Sequence, residues 1–263
     1  MSSVLDRIVA TKRDEIARAQ ALRTLTQLKD AIGEAPEVRD FLGALRGYPD
    51  IRLIAEVKKA SPSKGLIRSD FQPVQIALDY EAGGAAAISV LTDESYFCGH
   101  LDFLRQIRQR VSIPVLRKDF VLDEYQVYEA RAAGADAVLL IAECLPGERL
   151  SELYHCITEL GMTALIELYD PTHLLRVLDT GTKLVGVNNR DLHTFELDLG
   201  HVIRLRSEIP SDITLVAESG IFTHQDVVRL DLAGIDAMLV GESLMRQEDI
   251  QRAVRKLLTG DGE

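Results

Sequence analysis

The chain is predicted to be an α/β protein, a (β/α)8 (TIM) barrel carrying an N-terminal helical extension. Three observations lead there. Eight short apolar runs rich in β-branched residues succeed one another from Arg52 onward. Segments of helical period separate them. One phrase also recurs, in Glu81-Ala82-Gly83-Gly84-Ala85, Arg131-Ala132-Ala133-Gly134-Ala135-Asp136 and Asp231-Leu232-Ala233-Gly234-Ile235-Asp236. Each copy holds a helix end, a glycine that stops it and the start of a strand. Strict β-then-α alternation implies parallel strands, because a parallel neighbour is reached through a crossover helix.

Taken in order, Val4, Leu5, Ile8, Val9 and Ile16 recur at helical spacing among charged residues, which describes an amphipathic helix with one face to bury. A second helix is expected over Leu25 to Ile32, stopping near Gly33 and Pro36, and a third, short one over Phe41 to Leu45. No strand is expected before Arg52. The apolar runs are Leu53 to Val57, Ala87 to Val90, Pro114 to Leu116, Ala137 to Ile141, Ala164 to Glu167, Leu184 to Val187, Thr214 to Ala217 and Ala237 to Val240. Gln75 to Gly83, Gln126 to Ala133, Leu150 to Leu160 and His224 to Ala233 read as intervening helices. Eight such units suit a barrel of about 250 residues. The competing architecture, an open doubly wound sheet, usually shows a GxGxxG turn after its first strand, and the sequence has none. Residues 1–263 are therefore read as one barrel domain, of which 1–50 form the extension.

Composition narrows the function. Lys plus Arg number 30 and Asp plus Glu 41, a formal charge of −11. That balance argues against nonspecific nucleic-acid binding, which draws on a basic surface. An anionic substrate stays open, since a few cations can dominate a pocket. Cys98, Cys144 and Cys156 form no CxxC pair, so no disulfide framework is expected and a reducing cytosol is the natural compartment. Asp6, Arg7, Lys12, Arg13, Asp14 and Glu15 leave no room for a signal-peptide core. The uncharged stretch Ala82 to Thr92 is too short and too glycine-rich to span a bilayer, which takes about 20 apolar residues.

In a barrel of this kind function gathers at the C-terminal ends of the strands. Glu56, Lys118, Glu167, Asn188 and Glu218 all sit at the ends of apolar runs. Lys58 lies two residues beyond Glu56, and Arg190 two beyond Asn188, so strand periodicity aims each pair at one side, the mouth. Three carboxylates and two ammoniums would then converge from the first, third, fifth and seventh strands. Charges that merely mark where strands meet solvent would be scattered over both ends and both parities. Such a mixture suits acid–base chemistry, because close charges shift one another's proton affinities. Lysines also form Schiff bases, and spacing does not separate the two roles.

Glu218-Ser219-Gly220-Ile221 ends the seventh strand and Val240-Gly241-Glu242-Ser243-Leu244-Met245 the eighth. The loops after these two strands commonly hold a phosphate, through close backbone approach and free N–H groups. Lys58 and Arg190 would add charge. Ser61-Pro62-Ser63-Lys64-Gly65 is long enough for a lid, though a plain connection has the same composition. Phe97 and Phe120 are candidates to line a ring pocket. The histidines show no HxH or HExxH spacing, so no metal and no other cofactor is expected.

At this point the residues resemble a family. Leu53-Ile54-Ala55-Glu56-Val57-Lys58-Lys59-Ala60-Ser61-Pro62-Ser63 looks like the signature of the indole-3-glycerol phosphate synthase family. The similarity continues in Leu116-Arg117-Lys118-Asp119-Phe120, Leu165-Ile166-Glu167, Val187-Asn188-Asn189-Arg190-Asp191-Leu192, Ala217-Glu218-Ser219-Gly220-Ile221 and Gly241-Glu242-Ser243-Leu244-Met245. The resemblance implies ring closure, decarboxylation and dehydration of 1-(2-carboxyphenylamino)-1-deoxyribulose 5-phosphate in tryptophan biosynthesis. Lys118 matches the general acid of ring closure and Glu167 the base of dehydration. Lys58 or Glu56 serves the leaving hydroxide, and Asn188 and Glu218 orient hydroxyls and lysines. Ser219, Gly220, Gly241, Glu242 and Ser243 match the phosphate positions, with Arg190 beside them. Phe97, Phe120 and Leu139 match positions near the aromatic ring, Ser61 belongs to the substrate loop, and the resemblance implies that the N-terminal helical extension helps to shape the substrate site. Glu242 departs from the pattern, where a small neutral residue would suit phosphate better, and Cys98 stands where an amide is common.

The expected partner is thus a small sugar phosphate, with no nucleic acid and no membrane, on a monomer or a weak homo-oligomer. The chain ends soon after the eighth unit, so no fused isomerase domain is expected. A phosphoribosylanthranilate isomerase would share the phosphate end but not the Glu-x-Lys strand followed by Ser-Pro-Ser. A non-catalytic phosphate binder would have no need of acids and bases together.

Overall fold

The computed structural model describes residues 4–191 and 196–261. Eight parallel strands close into a barrel: β1 Arg52–Val57, β2 Ala87–Leu91, β3 Val115–Lys118, β4 Ala137–Ile141, β5 Thr163–Leu168, β6 Leu184–Asn188, β7 Thr214–Glu218 and β8 Ala237–Val240. Each pairs with its neighbours in sequence, and β1 closes on β8 with Arg52 opposite Ala237 and Ala55 opposite Val240.

Two helices precede the barrel, α1 Val4–Leu22 and α2 Leu25–Ile32. The connections and the chain's last turn supply α3 Pro73–Gly83, α4 Glu94–Phe97, α5 Leu101–Arg108, α6 Glu124–Ala132, α7 Arg149–Glu159 and α8 Leu174–Asp179. They continue as α9 Gly200–Leu205, α10 His224–Leu232, α11 Glu242–Met245 and α12 Ile250–Thr259. Among the described residues no helix is long and apolar enough to cross a membrane.

Strand alternation divides the core in two. Outward residues such as Leu53, Ile88, Val138, Ile166 and Val187 pack beneath the helices in one cluster. Inward residues form a second, in which Ile54, Leu116, Leu165 and Val216 come from odd strands and Ala87, Ala137, Leu184 and Ala237 from even ones. This is the layered filling of a closed barrel, a packed core and not a pore.

Phe41 and Leu45 belong to that inner cluster and are fully buried. They share it with residues at the strand starts, so they plug the bottom. The expected third helix over Phe41 to Leu45 is corrected here: the segment is a run of turns, with Ala44 N–H to Asp40 O and Arg46 N–H to Leu42 O. Leu45 N–H goes to Leu42 O, not to Phe41 O, so the two i→i−4 bonds are not consecutive and no helical ladder propagates. Asp136 clasps the same extension, accepting from Arg39 N–H and Val115 N–H at 2.8 Å each. The loop after β1 also holds a short antiparallel hairpin, Ala60–Ser61 with Gly65–Leu66, where sequence suggested only a loop.

Candidate active site

The odd strands end in ionic side chains that lean over the inner core. Lys118, last residue of β3, places Nζ 3.1 Å from Glu167 Oε2 and 3.1 Å from Glu218 Oε2. Glu167 accepts from Asn188 Nδ2 at 3.0 Å through its other oxygen, and Asn188 Oδ1 in turn accepts Arg190 N–H at 3.0 Å. On β1, Glu56 Oε2 meets Lys58 Nζ at 2.6 Å. The strand spacing that aimed Glu56 and Lys58 at one side therefore brings them into contact.

All of these groups except the two lysines and Arg190 are buried, and for Lys118, Glu167 and Glu218 burial competes with the neighbouring charges. Burial drives the Lys118 ammonium toward neutrality, but Glu167, Glu218 and Glu56 outweigh it and push its pKa up. Burial would also raise the Glu167 carboxyl. The Lys118 charge and the hydrogen bonds from Asn188 and Lys118 hold it below the usual carboxylate range instead. Glu218 goes the other way: burial first, then the neighbouring Glu167 charge, raise it well above that range. The two carboxylates that share the Lys118 ammonium are therefore driven in opposite directions. The site thus sets a carboxylate held toward its ionised form and one shifted toward its protonated form around a lysine kept as the ammonium.

Two glycines make room for the carboxylates. A Cβ at Gly186 on β6 would stand 2.3 Å from Glu218 Oε1, and one at Gly241 would stand 2.4 Å from Glu56 Oε2. Among sequence-predicted positions, Gly241 was singled out for phosphate; its spacing role for Glu56 was not anticipated.

At the far side of the mouth, Ser219 and Gly220 both adopt positive φ, 66° and 78°, which turns the chain sharply after β7. Ser243 Oγ donates to Ile221 O at 3.0 Å and ties that turn to α11. The start of α11, at Gly241, has no side-chain cap. Glu242 is drawn to Arg246, with Oε1 3.0 Å from Nη2 and 3.2 Å from Nε, so its charge has a partner of its own. Phe97 and Phe120 face each other with ring centroids 6.1 Å apart and planes at 38°.

One cleft is lined by all of the residues singled out from sequence: Glu56, Lys58, Lys118, Glu167, Asn188 and Glu218, with Ser61, Phe97, Phe120, Leu139, Arg190, Ser219, Gly220, Gly241, Glu242 and Ser243. Pro62 and Ser63 of the hairpin line it too. Leu192, the end of one motif, lies outside the described residues. Val4, Leu5 and Ile8 bring α1 across the mouth as a roof, where the resemblance implies that the N-terminal extension helps to shape the substrate site. Their apolar helical spacing announced a buried face but did not single them out as cleft residues. Among the described residues no group of His, Cys, Asp and Glu is arranged to hold a metal ion. The three cysteines are free thiols, and burial pushes that of Cys156 up to about 11.

Fold and mouth together define a (β/α)8-barrel enzyme with its ionic groups at the C-terminal ends of the strands. A family model described as indole-3-glycerol phosphate synthase matches residues 5–257. An indole-3-glycerol phosphate synthase of Rhodopirellula baltica is 57% identical over 256 residues, covering 97% of this chain and 99% of that protein. One from Leptothrix cholodnii is 50% identical over 252 residues, with 95% and 96% covered. The chain belongs to the indole-3-glycerol phosphate synthase family, carboxy-lyases of tryptophan biosynthesis. Among solved structures, an N-acetylmannosamine-6-phosphate 2-epimerase from Clostridium perfringens superposes with a TM-score of 0.62 at 16% identity. That alignment covers 82% of this chain and 96% of the epimerase, a likeness of fold alone.

Proposed function

We propose that the cleft converts 1-(2-carboxyphenylamino)-1-deoxyribulose 5-phosphate to indole-3-glycerol phosphate, carbon dioxide and water by lysine–glutamate acid–base catalysis. The observation that carries this is Lys118 Nζ at 3.1 Å from both Glu167 and Glu218, at the mouth of the barrel. In ring closure the ring carbon bearing the carboxylate attacks the ketone carbon, and Lys118 gives its proton to the ketone oxygen. Carbon dioxide then leaves that ring carbon, and the electron pair it leaves behind restores aromaticity. In dehydration Glu167, kept ionised by Lys118, takes the proton from the substrate. Lys58, held by Glu56 at 2.6 Å, protonates the departing hydroxide.

Asn188 fixes Glu167, and Glu218, whose carboxyl is raised, holds the Lys118 ammonium from the other side. The phosphate goes to the turn at Ser219 and Gly220 and the start of α11 at Gly241, Glu242 and Ser243, where backbone N–H groups and Arg190 meet an anion. The Glu242–Arg246 pair supports this placement, since it draws a like charge into a contact of its own. The aryl ring lies against Phe97, Phe120 and Leu139, with Ser61 closing over the sugar. The same reading takes residues 1–263 as one barrel unit with 1–50 as its extension, and places the reaction in a reducing cytosol, which the free thiols support.

The test is indole absorbance appearing when purified protein meets the carboxyphenylamino sugar phosphate. Lys118→Met is expected to fold and bind while turnover falls by about 10²–10⁴, the worth of a positioned general acid. A variant that kept a tenth or more of the rate would remove Lys118 from that role.

A further inference from the structure

Several charged side chains outside the acid–base cluster are as deeply buried as those within it, and one of them is a lysine on the roof helix. Lys12 lies in the middle of α1 and is only 4% exposed. Its ammonium stands 2.6 Å from Glu15 Oε2, 2.8 Å from Asp93 Oδ2 and 2.9 Å from Asp119 Oδ1, three carboxylates for three protons. Glu15 is on the same helix. Asp93 and Asp119 are not: they sit in the loops after β2 and β3.

Each of those aspartates also holds the backbone that carries one aromatic wall. Asp93 Oδ1 caps α4, accepting Tyr96 N–H at 2.8 Å and Phe97 N–H at 3.2 Å. Asp119 Oδ1 accepts Phe120 N–H at 2.8 Å, and its Oδ2 is fixed by Thr92 Oγ1 at 2.6 Å and Arg117 Nη2 at 3.1 Å. Around the ammonium, Thr11 Oγ1 meets Tyr96 Oη at 3.0 Å and Ser95 Oγ donates to Glu15 Oε1 at 2.6 Å. Leu5, Ile8 and Lys12 share one helix face at i, i+3 and i+7, so the residue that is clamped and the residues that roof the cleft move together.

We propose that Lys12 is a positioning residue for substrate binding, its ammonium clamping the roof helix α1 to the two loops that carry Phe97 and Phe120. The inference rests on the functional reading above and adds to it what sets the geometry of the aryl-ring wall. Lys12 touches no reacting atom. Lys118 is held separately, by Glu167 and Glu218, so loss of the clamp loosens the wall and leaves the acid in place. Ground-state and transition-state binding of the ring weaken alike, which raises KM and spares kcat.

Three measurements on the full chain decide it. Lys12→Met is expected to raise KM by about tenfold, the effect of roughly one lost apolar contact in a pocket, with kcat within about threefold. Asp93→Asn keeps a capping oxygen but loses the charge, and combined with Lys12→Met it should raise KM no further than Lys12→Met alone. In the unliganded protein, amide exchange should accelerate in α1 and Glu94–Phe97 while β1 to β8 stay protected. A purely structural role would lower the folded fraction and the apparent kcat without moving KM. Unchanged exchange in α1, or a KM within about twofold of the unaltered chain's, overturns the proposal. Absence of turnover by the unaltered chain would instead overturn the functional reading, and the exchange result would still decide the clamp.

Discussion

Gly186→Ala separates the cost of space from the cost of misplacement. The added Cβ would stand 2.3 Å from Glu218 Oε1 and 3.3 Å from Leu165 Cδ1. Ordinary contact lies near 3.5 Å, so the carboxylate must retreat by about 1 Å. It is the far end of a side chain, and it can move. Overpacking costs about 1–3 kcal/mol, and replacing a strand glycine by alanine returns about 0.5–1 kcal/mol. The melting temperature should therefore fall only by roughly 2–6 °C. Catalysis is less forgiving: the carboxylate that partners Lys118 leaves its place, and a displacement of about 1 Å is worth about 10²-fold in kcat, or about 2.7 kcal/mol. The assay is steady-state indole formation beside thermal unfolding. Gly33→Ala is the control, because a Cβ there meets only Asp30 O at 3.5 Å and the φ of −61° suits alanine. A folded Gly186→Ala protein with kcat within about threefold of the unaltered chain would refute the assignment of Glu218 to the lysine's positioning.

Three further outcomes follow from burial and charge. Asp119 is held down to about 2 from 3.8; burial alone would raise it, but Arg117 and Lys12 outweigh that. Its stabilisation, about 2 kcal/mol, is fully present above pH 3.8 and is lost as pH falls through about 2. Asp119→Asn should flatten acid unfolding in that window, and an unchanged slope counts against the clamp's charge. Glu218 has the opposite sign: its folded pKa lies above the unfolded value, so the native state loses stability as pH rises from 4.5 through the folded value. Glu218→Gln should therefore gain stability relative to the unaltered chain as pH rises above 4.5, read by thermal unfolding; a constant difference would contradict a raised Glu218 carboxyl. Phe41→Ala empties the bottom plug and should cost about 3–5 kcal/mol, a melting drop of roughly 10 °C, with KM unmoved.

Local signals made the barrel legible, and long-range ones did not. Runs such as Ala137 to Ile141 announce strands because a strand buried on both faces is apolar throughout. Glu56, Lys118, Glu167 and Glu218 stood out because ionic residues break that rule at one end and on one parity. Lys12 carried no such mark. On an amphipathic helix beside Arg13, Asp14 and Glu15 it reads as a solvated charge, and only loop residues 81 and 107 positions away bury it. Phe41 and Leu45 looked like a short helical face for the same reason, since nothing local says that a turn enters a barrel. The roof formed by Val4, Leu5 and Ile8 was half legible: the apolar face was evident from spacing, its place at the substrate site only from the family resemblance.

The interior layers show why ionic groups of this size fit inside a closed barrel at all. Four residues share each level, taken from alternate strands, and a packed level leaves no vacant volume. The odd strands place Glu56, Lys118, Glu167 and Glu218 at the mouth, each longer than the aliphatic residues below. The even strands answer with missing side chains. Gly186 on β6 stands where a methyl group would strike Glu218, and Gly241, just past β8, where it would strike Glu56. A glycine within a strand weakens it by about 0.5–1 kcal/mol and is retained where another group must approach closely. Gly186 interrupts the apolar run Leu184-Val185-Gly186-Val187, and Gly241 ends Met238-Leu239-Val240. Charge on one parity thus requires absence on the other. The two glycines belong to the ionic cluster although neither carries a charge, because each leaves the volume that a carboxylate fills.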